Sequence, residues 1–299
     1  MNCPNGIWTN PRKSDIIIYK CFGKVRTRDP AKEMIANYHT HTLRCGHASM
    51  EDEREYVEAA IKAGFSELGF ADHTPMPLPI DVDPADCARF MGIRMTMSQT
   101  EDYVNKLLTL REEYKNDIRI HIGFEVEYIP ATFETLIGFL NTFPTDYMIM
   151  GQHFNGVVTD EITYFGAETR SKKVLANYVD LVTEGIKTGK FTYVAHPDLC
   201  NFHGPLETYE QEMTRLIETA NECNVPLEIN LLGINSMRHY PNQVFWTLAN
   251  EIGCNVVIGS DAHETVGMKP ERALAYAEKI VEKNPRLNLL DRVELKPLK

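Results

Sequence analysis

The sequence has no long uninterrupted apolar stretch and few basic residues for its number of acidic ones. No run of about 18 uncharged apolar residues occurs, and the first twenty residues lack the basic start and apolar core of a secretory signal. We therefore expect a cytoplasmic protein without a membrane span. With 31 basic against 42 acidic residues, the formal charge of −11 disfavours binding to nucleic acid or to an anionic membrane.

Cysteine is scattered along the chain and is not clustered. The seven cysteines form no Cys-x-x-Cys pair, so neither a zinc knuckle nor a redox couple is predicted and reduced thiols are expected. Apolar residues make up 43% of the 299 residues, which is enough for a large core. Length alone allows one α/β barrel or two ordinary domains.

From residue 36 onward, short apolar runs alternate with longer amphipathic ones. This order is typical of βαβ units and predicts a parallel sheet covered by helices. The seven predicted strands are Ala36–His39, Glu67–Phe70, Ile118–Phe124, Tyr147–Met150, Thr192–Ala195, Leu227–Asn230 and Asn255–Gly259. Later helices are predicted at Thr100–Tyr114, Ala131–Leu140, Ser171–Thr188, Thr208–Cys223, Gln243–Glu251 and Pro270–Glu282. Residues 1–35 are predicted to be an N-terminal extension to a single domain of residues 36–299.

The first helix and the longest loop carry local signals. Ser49-x-x-Asp52 resembles a capping box, and apolar residues follow at helical spacing until Gly64, so a helix is predicted between them. The loop Thr74–Ser98 contains several closely spaced prolines and is not expected to form regular structure. A lid over the substrate and a plain surface excursion are both open interpretations of this loop.

Histidine is concentrated at the end of the first predicted strand. His39 and His41 share one face because side chains two apart on a strand point the same way, and His47 follows six residues later. Two imidazoles in this arrangement can bind one metal ion if the strand ends at an open mouth. A structural pair of histidines is the alternative at this point.

The same residue types recur at the ends of later strands. They are Asp72 with His73, Glu125, His153, His196, and Asp261 with His263. Because the carboxyl ends of parallel barrel strands converge on one face, six of the seven strands deliver a metal-ligand type to one place. A core imidazole explains any one histidine but not the shared placement, so a metal site is predicted. His121 is expected to be structural, whereas His203 and His239 are left open as substrate contacts.

These motifs, in this order, resemble the polymerase and histidinol phosphatase superfamily, the PHP domain, over about Ala36 to Leu274. The resemblance rests on His39-Thr40-His41-Thr42 with His47, Asp72-His73, Gly123-Phe124-Glu125, His153, His196-Pro197 and Ser260-Asp261-Ala262-His263. It implies an α/β fold, a distorted (β/α)7 barrel with a metal site at the C-terminal ends of the strands. Within the superfamily, the chain most resembles histidinol-phosphate phosphatases, on the strength of Gly123-Phe124-Glu125-Val126-Glu127-Tyr128, His196-Pro197-Asp198-Leu199 and Leu227-Glu228-Ile229-Asn230.

The resemblance also implies three divalent metal ions. The implied ligand sets are His39, His41, Glu125 and Asp261 for one ion, His47, His73 and His263 for a second, and Glu125, His153 and His196 for a third. Glu125 would bridge two of the ions. Mixed imidazole and carboxylate ligation suits zinc, manganese or iron, and the sequence does not choose among them. Cys45 lies beside the motif and is expected to pack rather than bind.

The implied reaction is phosphomonoester hydrolysis by an activated water, without a covalent enzyme intermediate. Glu125, Asp261 and His263 are the candidate catalytic residues, and the last two are candidates for the proton given to the leaving group. A bound phosphate is also expected to contact a cationic side chain through its oxygens. The candidate phosphate-binding residues are Arg238, Arg170 and Arg44, with surface charge as the alternative for each.

The expected partner is a small-molecule phosphoester, histidinol phosphate first. Asp198, Glu127 and Asp72 are candidates to receive the cationic end of that substrate, and orientation of ligand histidines is their alternative role. A PHP phosphoesterase acting on another small phosphoester or a nucleotide remains a competing hypothesis. A noncatalytic metal-binding module is the alternative of a different class. The sequence assigns no oligomeric state.

Overall fold

The computed structural model describes residues 34–76, 93–156 and 163–298. Its strands are β1 (Ala36–Asn37), β2 (Glu67–His73), β3 (Arg119–Val126), β4 (Tyr147–Met150), β5 (Leu227–Asn230), β6 (Asn255–Gly259) and β7 (Asn288–Leu289). Its α-helices are α1 (Glu53–Lys62), α2 (Met97–Glu113), α3 (Phe133–Leu140), α4 (Lys172–Lys187), α5 (Leu206–Glu222), α6 (Leu231–Asn235), α7 (Gln243–Ile252) and α8 (Glu271–Lys283). Short 3-10 turns occupy Leu43–Cys45 and Thr265–Gly267.

All strand pairs are parallel, and the strands form a curled sheet. One group has the order β1-β2-β3-β4 and the other β5-β6-β7. Val194 makes isolated parallel bridges to Met150 on one side and to Leu227 on the other, and so connects the two groups. Thr40, just after β1, bridges in parallel to Ala262, just after β6. The fold is therefore mixed α/β with a curled parallel sheet.

Burial on both faces explains why the middle parts of the strands are largely apolar. Every residue of β2 and β4 is buried, as is typical of a parallel sheet between helices and an inner core. The largest apolar cluster fills the space between the sheet and the helices. A smaller one inside the curl contains Tyr38, Tyr147 and Tyr193, and the Tyr147 hydroxyl donates to the carbonyl of Tyr38 at 2.7 Å. A packed interior leaves the carboxyl ends of the strands as the place for polar residues.

The predicted strands Tyr147–Met150, Leu227–Asn230 and Asn255–Gly259 are confirmed with their bounds. The predicted strand Ala36–His39 is shorter in the structure, where β1 spans Ala36–Asn37. The predicted strand Thr192–Ala195 does not form, and Val194 alone makes two isolated bridges there. Each of the six later predicted helices is present within a few residues of its predicted ends.

The predicted capping box at Ser49 is wrong, and the helix starts later. The N-cap of α1 is Asp52, whose side chain accepts from the backbone of Arg54, and Glu55 completes the box. Ser49 donates its hydroxyl to Glu51 instead. Asp52 is preferred because its carboxylate and the acidic first turn both oppose the positive end of the helix dipole.

Most of the predicted loop Thr74–Ser98 and the extension at residues 1–35 lie outside the described residues, and α2 begins at Met97. In the part of the chain that is described, no helix combines the length and apolar character needed to cross a membrane.

Candidate metal centre

The predicted histidines and carboxylates lie together beyond the carboxyl edge of the sheet. Parallel pairing puts His73 of β2 beside Glu125 of β3, at the carboxyl ends of both strands. The bridge between Thr40 and Ala262 brings the His39-Thr40-His41 segment beside the Asp261-Ala262-His263 segment. Residues far apart in sequence thus meet because their strands end at one edge.

His39 and His41 face two carboxylates. The Nε2 atom of His39 lies 3.5 Å from Oε2 of Glu125 and 3.4 Å from Oδ1 of Asp261. The Nε2 atom of His41 lies 3.4 Å and 3.1 Å from the same two oxygens. Both imidazoles are fully buried. Two nitrogens and two oxygens therefore surround one small space.

A second group consists of His47, His73 and His263, which offer ligand atoms within 4.8 Å of one another. The Nε2 atoms of His47 and His263 are 2.9 Å apart, and the rings of His41 and His263 stack with centroids 4.1 Å apart. If both imidazoles are neutral, at most one of these two Nε2 atoms can carry a hydrogen and donate it to the other. A cation between the two rings would instead accept the lone pairs of both Nε2 atoms.

Glu125 also reaches the remaining histidines. Its Oε1 atom lies 3.0 Å from Nε2 of His196 and 3.7 Å from Nε2 of His153. Its Oε2 atom lies 3.0 Å from Nδ1 of His73. The carboxylate of Glu125 thus contacts histidines on both of its oxygens and stands at the middle of the cluster.

The donor atoms at the centre fit a divalent cation. Among the described residues, the buried side-chain atoms without a hydrogen-bond partner include Nε2 of His39, Nε2 of His41 and Oε2 of Glu125. Such buried polar atoms are rare because each loses its hydration without compensation. These three lie close together, so a shared cation would satisfy them all. The cluster is therefore suited to divalent metal binding.

The other ring nitrogen of several histidines is fixed by an acceptor. His39 donates from Nδ1 to Glu228 at 2.8 Å, His47 to the carbonyl of Cys45 at 3.0 Å, and His263 to the carbonyl of Asp261 at 3.0 Å. A proton on Nδ1 leaves the lone pair of Nε2 for the centre. Cys45 itself is buried, which raises the pKa of its thiol and opposes a thiolate ligand.

Mutual electrostatics strongly perturb the cluster. Burial disfavours charge on His41, but the nearby carboxylates of Asp261 and Asp72 outweigh it and raise the pKa of His41 to about 9. Burial and the neighbouring His41 lower the pKa of His263 to about 3. For Glu125, burial is outweighed by His73, His153 and His39, so its pKa lies well below the ordinary value. The histidines His39 and His41 likewise outweigh burial and hold the pKa of Asp261 well below its ordinary value, so both carboxylates are ionised and favour a cation between them.

The cluster forms one wall of an open pocket of about 430 Å³. The pocket is lined by His47, His73, Ile93, Arg94, Glu125, His153, Phe154, Tyr164, His196, Leu232, Arg238, Tyr240, Asp261 and His263. The ligand candidates are thus accessible to a small molecule, and aromatic rings together with two arginines make up much of the remaining wall.

The structure separates the three arginines singled out in the sequence. Arg238 lines the pocket, and its Nη1 atom donates to the Tyr240 hydroxyl at 3.0 Å. Arg44 is buried and pairs with Glu53 and with Asp102, so it does not line the pocket. Arg170 is exposed and lies outside the pocket lining as well. Of the three, only Arg238 lines the pocket.

The three carboxylates considered for a cationic substrate group are already engaged. Asp72 accepts from the hydroxyl and backbone N–H of Thr42 and lies 3.4 Å from Nδ1 of His41. Asp198 is buried, which raises its pKa to about 6, and it accepts from the backbone of Asn242 at 2.5 Å. None of the three lines the pocket.

Glu127, the third of them, belongs to a buried chain of contacts. It pairs with Arg94 at 2.5 Å and lies 3.4 Å from Nδ1 of His153. Arg94 lines the pocket and was missed in the sequence, because it stands in a loop that has no periodicity to place it. Glu127 and Asp72 thus contact ligand candidates from behind, which is the orienting role considered for them.

Three further histidines make contacts away from the pocket lining. His121 lies 3.1 Å from Glu67, in keeping with the structural role expected for it. His239 contacts the carbonyl of Leu199 at 2.7 Å, and His203 contacts Asn201 at 2.9 Å. Neither His239 nor His203 is among the pocket-lining residues.

The fold and the site define a metal-binding α/β protein with its centre at the carboxyl edge of a curled parallel sheet. A family model described as the PHP domain matches residues 37–231, so the chain belongs to the PHP family. The resemblance identified from the motifs is thereby confirmed.

Curated relatives and a solved structure are also similar to this chain. A probable histidinol-phosphatase of Deinococcus radiodurans is 28% identical over 235 residues, 77% of this chain and 86% of its own length. A histidinol-phosphatase of Bacillus subtilis is 33% identical over 118 residues, 39% of this chain and 42% of its own. The crystal structure of a histidinol phosphate phosphatase from Lactococcus lactis, complexed with zinc, L-histidinol and phosphate, has a TM-score of 0.65 at 17% identity, covering 87% of this chain and 99% of that one. At this identity the structural likeness establishes the fold.

Proposed function

We propose that this chain is a metal-dependent phosphomonoester hydrolase that converts L-histidinol phosphate and water to L-histidinol and phosphate. The observation that carries the proposal is the convergence of imidazoles and two ionised carboxylates on one wall of a pocket of about 430 Å³, with Arg238 on another part of the wall. A pocket of this size suits a small molecule. The names of the curated relatives support histidinol phosphate as that molecule.

The proposed centre holds three divalent ions. His39, His41, Glu125 and Asp261 would bind the first, His47, His73 and His263 the second, and Glu125, His153 and His196 the third. The distances within the first two groups support this division. For the third, the support is that Oε1 of Glu125 faces both His196 and His153. Zinc, manganese and iron all suit such ligands.

Bound divalent ions would activate a water for attack on phosphorus and neutralise charge on the phosphate oxygens. The chain's own residues hold and orient the reactants. Glu125 would bridge two of the ligand sets, and Arg238 would bind a phosphate oxygen that faces away from the cluster. Asp261 and His263 line the pocket and are the proposed groups for accepting a proton from the attacking water and passing it to the leaving oxygen. We do not extend phosphate binding to Arg44 or Arg170.

Aromatic rings are the proposed acceptor of the organic end of the substrate. Phe154, Tyr164 and Tyr240 line the pocket beside the cluster. Their faces can stack on an imidazole ring or accept a cation. This replaces the carboxylates first considered, since those are engaged elsewhere.

We also propose that the curled sheet is a closed (β/α)7 barrel within a catalytic domain of residues 36–299. The segment around Val194 would be a further strand of the ring, between β4 and β5, because Val194 bridges both of them in parallel. The bridge between Thr40 and Ala262 supports closure between β6 and β1. Residues 1–35 would then precede this domain in the sequence as an N-terminal extension.

The decisive experiment compares kcat/KM for histidinol phosphate with that for glycerol phosphate, phosphoserine and a nucleoside monophosphate under identical metal loading. We expect histidinol phosphate to be at least about tenfold better than glycerol phosphate, a difference of about 1.4 kcal/mol. A smaller ratio would remove the histidinol phosphate assignment, and the absence of any phosphomonoester hydrolysis would remove the phosphatase. Elemental analysis after loading should find close to three ions per chain, and a single ion would contradict the trinuclear centre.

A further inference from the structure

The end of β5 provides no candidate metal ligand, yet it lies inside the cluster. Glu228 and Asn230 are almost completely buried there, at 0% and 1% exposure. We propose that Glu228 is a positioning residue which, together with Asn230, fixes His39, His196 and Asp261 in the arrangement that binds metal. The inference rests on the proposed metal centre and adds to it the residues that preorganise it.

Glu228 determines which nitrogen of His39 faces the centre. Its Oε1 atom lies 2.8 Å from Nδ1 of His39, between two side chains that have no exposed surface. A carboxylate oxygen can only accept, so Nδ1 of His39 carries the hydrogen. The lone pair then lies on Nε2, the atom that faces Glu125 and Asp261 without a hydrogen bond. Without the carboxylate, His39 loses the group that selects this tautomer.

The other oxygen of Glu228 holds a second ligand segment. Oε2 accepts from the backbone N–H of His196 at 3.0 Å and from Nδ2 of Asn230 at 2.9 Å. His196 has a φ of 29°, in the left-handed region that a residue with a Cβ rarely adopts. The hydrogen bond to its N–H therefore supports a strained conformation that turns the imidazole toward Glu125.

Asn230 extends the same network to Asp261. Its Nδ2 atom donates to Oδ2 of Asp261 at 3.1 Å, while its Oδ1 accepts from the backbone of Gly233 at 2.8 Å and caps α6. The capping bond fixes the amide, so that the NH2 group must face the two carboxylates. Asp261 has a φ of 51° and is the second ligand candidate with a strained backbone that this network contacts. One carboxylate and one amide thus reach three ligand candidates.

The neighbouring strand leaves room for this carboxylate. Gly259 of β6 pairs with Asn230 of β5, and a Cβ added to Gly259 would lie 1.8 Å from Oε1 of Glu228. Any side chain at that position would push the carboxylate away from His39. The absence of a side chain at residue 259 is therefore part of the same arrangement.

Glu67 provides a matched control within the chain. It is also a buried strand glutamate that contacts a histidine, His121, at 3.1 Å, and it accepts from Tyr38 at 2.9 Å and Arg292 at 2.7 Å. It stands at the start of β2, the opposite end of the strand from the cluster. Loss of its charge should cost stability without affecting metal binding.

The test measures zinc affinity of the metal-free full chain by competition with a fluorescent chelator. The variants are Glu228→Gln, Asn230→Asp and Glu67→Gln, each checked for folding by circular dichroism. Glu228→Gln puts an NH2 group against a hydrogen-bond donor and should weaken zinc binding 10–100-fold. Asn230→Asp keeps the helix cap but loses the donor between two carboxylates, and it should weaken zinc binding by a similar factor. This variant tests the proposal on its own if Glu228→Gln fails to fold. Glu67→Gln should bind zinc within about twofold of the unaltered protein.

Two results would overturn the positioning role. One is unaltered zinc affinity in both Glu228→Gln and Asn230→Asp. The other is an equal loss in Glu67→Gln, which would trace the effect to general stability. If the unaltered chain itself binds no zinc, manganese or iron, the proposed metal centre is wrong. That outcome is distinct from failure of the positioning role, because the variants could then not be compared with any affinity of the unaltered chain.

Discussion

Gly151 lies directly against Glu125. A Cβ added to Gly151 would lie 1.8 Å from Oε1 and 2.5 Å from the carboxyl carbon of Glu125. Gly151 immediately follows β4, which pairs in parallel with β3, so the two residues are neighbours across the edge where the metal candidates gather. The backbone of Gly151 is not in the left-handed region, and the need for glycine is therefore one of space around the central carboxylate.

Replacing Gly151 by alanine should displace Glu125. Because a carboxylate moved by about 1 Å would no longer fit the proposed ions, we expect activity to fall about 100-fold and metal content to decrease. Steady-state kinetics and elemental analysis measure the two effects. Gly138→Ala is the control, since a Cβ on that helical residue meets nothing within 4 Å. Wild-type activity in Gly151→Ala would show that Glu125 is not held in place by this contact.

Glu125→Gln should remove activity and leave the fold intact. Glu125 contacts histidines through both oxygens, so losing its charge weakens more than one ligand group, whereas the rest of β3 is held by apolar packing. We expect a fall in kcat of at least about 100-fold, in line with the several kcal/mol that metal ions contribute. Near-UV circular dichroism and the melting temperature of the metal-free protein report on the fold. A parallel loss of melting temperature would indicate a structural carboxylate.

The placement of the ligand candidates could be predicted from the sequence because it follows from strand ends alone. Each one stands at or shortly after an apolar run, and parallel strands bring such positions to one edge. The strand at Thr192–Ala195 was expected from the same pattern, but a single bridging residue is what forms. Strand pairing depends on the register and twist of both neighbours, which the apolar run does not specify.

The residues that orient the ligands could not be placed in the same way. Glu228 contacts His39, which is 189 positions away in the sequence. The pattern of residues around a buried strand glutamate does not indicate which distant side chain it will contact. Arg94 could not be placed either, because the sequence of an irregular loop does not predict where a side chain points. Arg44 shows the reverse error, since its place in the loop after the first strand suggested the pocket, whereas its guanidinium pairs with Glu53 and Asp102. Side-chain direction is decided by tertiary contacts.

Acid should remove the stabilisation that Glu67 provides. Burial raises the pKa of Glu67, but hydrogen bonds from Tyr38, His121 and Arg292 outweigh it and hold the pKa below its ordinary value. A carboxyl whose pKa is lower in the folded state stabilises above its unfolded pKa and loses this contribution as the pH falls. Glu67→Gln should therefore be about 1–3 kcal/mol less stable at pH 7, and the difference should shrink below pH of about 4. Urea unfolding at both pH values measures it, and a difference independent of pH would contradict the ionised role.

Arg238→Ala should raise KM for the phosphoester while metal content stays unchanged. Arg238 lines the pocket beside Tyr240 but makes no described contact with a proposed ligand histidine, so its removal affects the substrate rather than the ions. A charge-assisted hydrogen bond to phosphate contributes about 1.5–3 kcal/mol, which corresponds to a rise in KM of about 10- to 100-fold where KM reflects binding. Arg170→Ala removes the same charge from an exposed position outside the pocket lining and should leave KM within about twofold. Equal effects of the two variants would mean that Arg238 acts through the general charge of the surface, and an unaltered KM in Arg238→Ala would remove it from the phosphate site.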